Sequence, residues 1–224
     1  MFAAISQSDA KADVSSPEDP VIQVNGRAEI RFKLGEHGTC LDHLYHHAPV
    51  RIVFPTPAEG DIPQATVITT SGGLTGGDKI AITTAVKQSA RAMIASQAAE
   101  KIYRSAGQNV QINVALAAES DAWLEYLPQE TILFDGAKLA RITSVDAMPG
   151  SQVLAGEIIV FGRRGSGESF RNGFFSETWR VRLDDRLTWA DTLLLNDPKN
   201  GALHHPAGFD GAVAMATAIY LGPD

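Results

Sequence analysis

A single cysteine, Cys40, stands in 224 residues, so no internal disulfide can form and a disulfide-stapled scaffold is excluded. Aromatic residues are few, at 7%. No apolar run approaches the about 18 residues a membrane helix needs, so no membrane partner is expected. Lys and Arg number 19 against 26 Asp and Glu, a formal charge of -7, and nowhere do basic residues cluster among aromatics. The electrostatic footprint of a nucleic-acid binder is therefore missing. Met1 to Pro20 has no basic segment followed by an apolar one, which excludes a secretory signal of the usual kind. Its Ala, Ser, Asp and Pro hold too little apolar surface to offset ordering, so residues 1–20 are expected to form a disordered tail on a single domain over 21–224. A cytoplasmic location is expected.

What is present is a period of two. Ala28, Ile30, Phe32 and Leu34 alternate with polar neighbours; Ile80 and Ile82 open a run to Val86; Val110, Ile112, Val114 and Leu116 repeat the pattern; Trp179, Val181 and Leu183 begin another. Alternation of this kind marks half-buried strands. Asp184-Asp185 reads as the turn before Leu187 and Trp189, and Asp135-Gly136 as a hairpin turn between Thr131–Phe134 and Lys138–Arg141. Frequent Gly, Pro, Asn and Asp between short runs predict a predominantly β protein of stacked sheets with few short helices. The alanine-rich stretches Ala90–Arg104 and Gly211–Tyr220 are the helix candidates, although the second also suits a buried strand.

Ser71 to Lys79 holds Gly72, Gly73, Gly76 and Gly77 and ends in Asp78-Lys79. A phosphate-binding loop needs Gly-Lys-Ser/Thr at its end and a helix whose N-terminal amides face the anion. Here Asp78 stands in the lysine's place and the strand-like Ile80–Val86 follows, so the loop reads as a structural turn held by Asp78. A nucleotide-binding or enzymatic use of residues 71–79 is the alternative. Cys40, His43, His46 and His47 lie close together, with His204-His205 far along the chain, but their spacing matches no metal-site pattern. Arg164-Gly165-Ser166-Gly167-Glu168 lacks the spacing of a nucleophile elbow. No catalytic constellation emerges.

The carboxylates are more informative. Glu125 and Glu130 flank Leu127-Pro128-Gln129, Asp135 follows, and Glu157 interrupts the apolar run Val153–Phe161. A glutamate in such a run requires a partner, a metal or a wet cavity. A salt bridge to Arg104, Arg141, Arg163 or Arg164 would satisfy it as well.

Several segments in order carry a family resemblance. Ser71–Asp78, Gln97-Ala98-Ala99-Glu100-Lys101-Ile102-Tyr103-Arg104-Ser105, Leu124–Glu130 through Phe134-Asp135-Gly136-Ala137, and Phe161-Gly162-Arg163 with Gly167-Glu168 resemble the signatures of the urease accessory protein family UreD, also called UreH. Leu44-Tyr45 through Ala48-Pro49-Val50-Arg51 fits its first strands. The resemblance covers Arg27 onward. It implies a β-helix-like stack of sheets and a non-enzymatic maturation factor that joins UreF and the GTPase UreG on apo-urease and conducts nickel toward the urease active site. No tightly bound cofactor is implied, only nickel in transit. On that reading Glu125, Glu130, Asp135, Glu157 and Glu168 are the candidates to line the route. Family members continue into further C-terminal strands, whereas this sequence ends at Leu221-Gly222-Pro223-Asp224, so a truncated and inactive member is a further alternative.

Overall fold

The structure, a computed structural model, describes residues 23–196 and 201–222. The expected tail over residues 1–20 lies outside them. The strands are β1 (Asn25–Gly35), β2 (Gly38–His47), β3 (Val50–Val53), β4 (Gln64–Thr69), β5 (Lys79–Val86), β6 (Arg91–Ser96), β7 (Glu100–Ile102) and β8 (Val110–Ala118). They continue as β9 (Trp123–Leu127), β10 (Thr131–Leu133), β11 (Lys138–Ala147), β12 (Gln152–Phe161), β13 (Phe174–Leu183), β14 (Arg186–Leu195) and β15 (Ala214–Leu221). Helix is confined, among the described residues, to one turn at Gly201–His204 and a 3-10 turn at Arg164–Ser166. The expected fold class is thus observed.

Two sheets face each other. One runs β14-β13-β11-β8-β5-β1-β2; the other runs β3-β4-β6-β9-β12-β10-β7, with β15 paired to β12. The chain crosses between the sheets as it advances, so β5, β8, β11 and β13 stack in parallel on one side, and β6, β9 and β12 do so on the other. The result resembles a β-solenoid, in which each coil buries its apolar face on its neighbours. The antiparallel pairs β1–β2, β3–β4, β13–β14 and β12–β15 flank this parallel middle.

The period of two places the core between the sheets. Ala28, Ile30 and Phe32 from β1, Ile80, Ile82 and Val86 from β5, and Val110, Ile112, Val114 and Leu116 from β8 are all buried. Leu34 breaks the pattern, being 52% exposed, because it stands at the tip of the β1–β2 hairpin, past Phe32, where the pairing of β1 with β5 ends. Asp184 and Asp185 take φ of 53° and 59°, the positive pair that a two-residue hairpin between β13 and β14 demands.

Two expectations need correction, and one choice left open is decided. Ala90–Arg104 is not helical: it forms β6 and β7, where Ala92 and Ile94 alternate inward and the backbone of Arg91–Ala95 bonds in register to Trp123–Leu127. For Gly211–Tyr220 the strand alternative holds: it contributes β15, paired with β12, although half-exposed and not buried. In both, small alanine side chains fit a close sheet, and tertiary pairing outweighs a weak helix propensity. Asp135-Gly136 does turn the chain, with Gly136 at φ 80° and the Ala137 N–H donating to the Phe134 carbonyl at 2.9 Å. It is a corner and not a hairpin, because β10 pairs with β7 and β12 in one sheet while β11 pairs with β8 and β13 in the other.

Candidate functional site

The glycine loop lies just before β5. Asp78 is buried there and accepts the Val24 N–H at 2.9 Å and the Thr75 N–H at 2.8 Å, while its own N–H donates to the Thr75 carbonyl. Its carboxylate thus occupies amides that a phosphate would require. Gly72 and Gly77 turn with φ of 76° and 94°. Gly73 and Gly76 are constrained by space: a Cβ on Gly76 would lie 1.9 Å from Ser105 Oγ, and one on Gly73 would lie 2.5 Å from the Tyr103 ring.

The five carboxylates singled out in the sequence fall in different places. Glu125 points away from the core between buried Leu124 and Tyr126 and accepts the Trp123 Nε1–H at 2.7 Å. Glu130 occupies the junction between β9 and β10, where its carbonyl accepts the Glu100 N–H. Asp135 and Glu168 meet at one corner: Asp135 accepts the Arg171 and Asn172 N–H groups, each at 2.9 Å, while Glu168 accepts the Asp135 N–H and bonds Arg163. Burial raises the pKa of Asp135, but the Asn172 and Arg171 N–H groups outweigh it and hold the group low; the Asp135 N–H does the same for Glu168. Glu157 alone enters the space between the sheets. Among the described residues, no group of three or more His, Cys, Asp and Glu is disposed to hold a metal ion. His43 instead pairs with Glu29, and His47 contacts the Asn25 carbonyl.

Glu157 belongs to a buried ionic cluster. Arg141 from β11 donates through Nε and Nη2 to the two oxygens of Glu177 on β13, at 2.7 and 2.8 Å, and through Nη1 to Thr131 Oγ1 on β10 at 3.0 Å. It also pairs with Glu157 from the facing sheet, whose Oε1 accepts the Trp179 Nε1–H at 2.9 Å. Of the four arginines the sequence offered Glu157, the fold selects Arg141. Glu177 was legible in principle: it shares the inward parity of Trp179 and Val181, two positions upstream of the run used to assign that strand.

Burial drives the Glu157 pKa well above the glutamate range; Arg141 opposes this, and the Glu177 carboxylate adds to it. A group that holds its proton more tightly when folded contributes stability that is full below its unfolded pKa and is lost as pH rises through its folded one. Resistance to urea should therefore begin to fall as pH rises past the ordinary glutamate range and keep falling through neutrality, and that part of the decline should vanish in Glu157→Gln. Carboxyl-carbon NMR of Glu157 across the same range checks the assignment; an ordinary glutamate midpoint there would contradict it.

A cavity of about 180 Å³ leads toward this cluster. Gly72, Gln97, Ala98 and Gln129 are exposed at its rim, while Ile80, Ile82 and Ile112 form apolar wall and Tyr126, Thr131 and Arg141 a polar one, all six of them buried. Glu100, absent from the sequence-based candidates although it stands inside a quoted motif, also lines the cavity. Thr69 Oγ1 donates to it at 2.5 Å, and burial moves its pKa upward against that bond. The signal for Glu100 would have been its position directly after the small, rim-forming Ala98-Ala99.

The profile of the family described as UreD urease accessory protein matches residues 24–224. The chain belongs to the UreD family. A UreD from Magnetococcus marinus is 38% identical over 206 residues, covering 92% of this chain and 71% of the relative. A protein named urease accessory protein UreD 3 from a Bradyrhizobium species is 38% identical over 217 residues, covering 96% and 78%. A UreD from Granulibacter bethesdensis is 42% identical over 173 residues, covering 77% and 72%. The glycine loop, the Glu100 segment and the Glu157 strand all fall inside the span matched to UreD.

Proposed function

We propose that this UreD-family chain is a non-catalytic scaffold of urease maturation in the cytoplasm, binding apo-urease together with UreF and UreG and passing nickel inward through its own interior. The observation that carries the reading is the cavity running from Glu100 toward the carboxylates of Glu157 and Glu177. A transported cation needs oxygen ligands that are few and weak enough to release it, and scattered carboxylates meet that need where a closed four-ligand cage would not. The cavity volume is many times the 10–15 Å³ or so that one water requires, so a hydrated ion fits. Glu100 and Glu157 are the stations this geometry favours. Glu125, Glu130, Asp135 and Glu168 remain part of the proposal only as surface or corner carboxylates along an approach. GTP hydrolysis would belong to UreG. The alternative of a nucleotide site in loop 71–79 is disfavoured, since Asp78 holds the loop amides and a strand follows.

The test is complementation of cells lacking their own UreD. The chain should restore urease activity and co-purify with UreF and apo-urease. Glu157→Gln, which keeps the shape and an acceptor for Trp179, should lower urease nickel content by about tenfold or more, as loss of a metal-site partner does, with assembly intact. Loss of assembly would make Glu157 structural; no rescue by the parent chain despite partner binding would mark it as inactive. GTP or ATP hydrolysis by the purified chain alone would overturn the scaffold reading.

A further inference from the structure

Of the three ionic residues in the buried cluster, only Arg141 lines the cavity; Glu157 and Glu177 lie behind it. A cation entering from the rim would meet a guanidinium before either carboxylate. Burial disfavours that charge, but the two glutamates overcome this and keep Arg141 fully cationic. Its side chain is 7% exposed and tethered to both sheets at once, through Glu177 on one and through Glu157 and Thr131 on the other. Beside it the Tyr126 phenol, also buried, lines the same space, so the buried lining is polar at Arg141, Thr131 and Tyr126 and apolar at Ile80, Ile82 and Ile112.

We propose that Arg141 is a charge-selective gate on the route to Glu157 and Glu177, an inference that rests on the conduit reading above. A monovalent cation offers the two carboxylates no more charge than the guanidinium already supplies, and it brings neither the bidentate fork nor the bond to Thr131. A divalent cation at the same separation attracts Glu177 twice as strongly and also drives the proton off Glu157, as metal binding to a carboxyl group does. Only the second can exchange with Arg141, whose side chain then turns into the open cavity. The gate thus passes divalent metal and rejects sodium, potassium and other single charges without a size filter.

Trp179 reports the exchange, because its indole is bonded to Glu157. The chain has three tryptophans, so Trp123→Phe and Trp189→Phe leave Trp179 as sole emitter. Nickel chloride, mixed with this protein in stopped flow, should quench the emission, while caesium chloride, a monovalent quencher, should not. Arg141→Lys keeps the charge but loses the fork, and Thr131→Val removes one tether only; each should speed nickel quenching by about tenfold, the effect of weakening roughly one charge-assisted hydrogen bond. Should Arg141→Lys lose its near-ultraviolet dichroism, Thr131→Val decides the matter. Equal nickel rates in parent and variants, or caesium quenching to the same extent as nickel, would overturn the gate and leave the conduit standing. Absence of nickel quenching in every variant would overturn both.

Discussion

Arg141→Met should lower folding stability by about 3–5 kcal/mol, the usual penalty for removing one partner of a buried ion pair. The change strips Glu157 and Glu177 of the cation they share, while both stay in the core, at 5% and 2% exposure. Methionine fills most of the vacated volume, so the loss is electrostatic and not a packing defect. Adding Glu157→Gln and Glu177→Leu should recover much of it, since an apolar or neutral replacement of a whole buried cluster is often close to neutral. Urea denaturation of the three proteins measures the difference. A single variant within about 0.5 kcal/mol of the parent, the range of ordinary surface changes, would mean the carboxylates are not held as described.

Gly73→Ala should cost about 2 kcal/mol or more, well beyond the gain that alanine brings where its backbone is tolerated. The residue sits at φ 147°, and an added Cβ would stand 2.9 Å from the Lys101 carbonyl as well as against the Tyr103 ring. Tyr103 cannot simply withdraw, because its hydroxyl donates to the Gly72 carbonyl at 2.9 Å and its ring meets Phe134 edge-on. The same loop forms part of the cavity rim, so the variant should also alter access to the interior. Gly72→Ala is the control: its φ of 76° is unfavourable, but an added Cβ has nothing within 4 Å, so its penalty should be smaller. Thermal melts of the two variants give the comparison; equal losses would place the whole effect in backbone strain.

The fold was largely legible because its strands are half-buried. In β8 every second residue from Val110 to Ala118 is buried, and that alternation stands in the sequence before any contact is known. What could not be read was which sheet each strand joins. Thr131–Leu133 and Lys138–Ala147 are separated by one tight corner, and a tight corner looks the same whether the chain folds back beside itself or crosses to the opposite layer. The alanine-rich segments were ambiguous for a related reason: alanine suits a helix, but it also suits a closely packed sheet, and only long-range partners decide between them.

The candidate site was legible in one residue. Glu157 stood out because a carboxylate inside Val153–Phe161 needs an answer to its burial. Glu125, Asp135 and Glu168 were drawn in by the motifs around them, and those motifs prove to shape a strand surface and a corner. Glu177 and Glu100 were missed because neither interrupts a long apolar run, although the parity of Glu177 with Trp179 and Val181 was there to be read.

The tethers of Arg141 also bear on how the stack comes apart. In a coil-upon-coil architecture each layer touches only its neighbours, and such arrays can fray from one end a layer at a time. Arg141 reaches back to β10 in the coil before its own, across to β12, and forward to β13 in the next. Three consecutive layers thus share one knot, and releasing any of them means breaking bonds in the others, so β10 to β13 open as a block while β2, at the far edge of its sheet, is free to open alone.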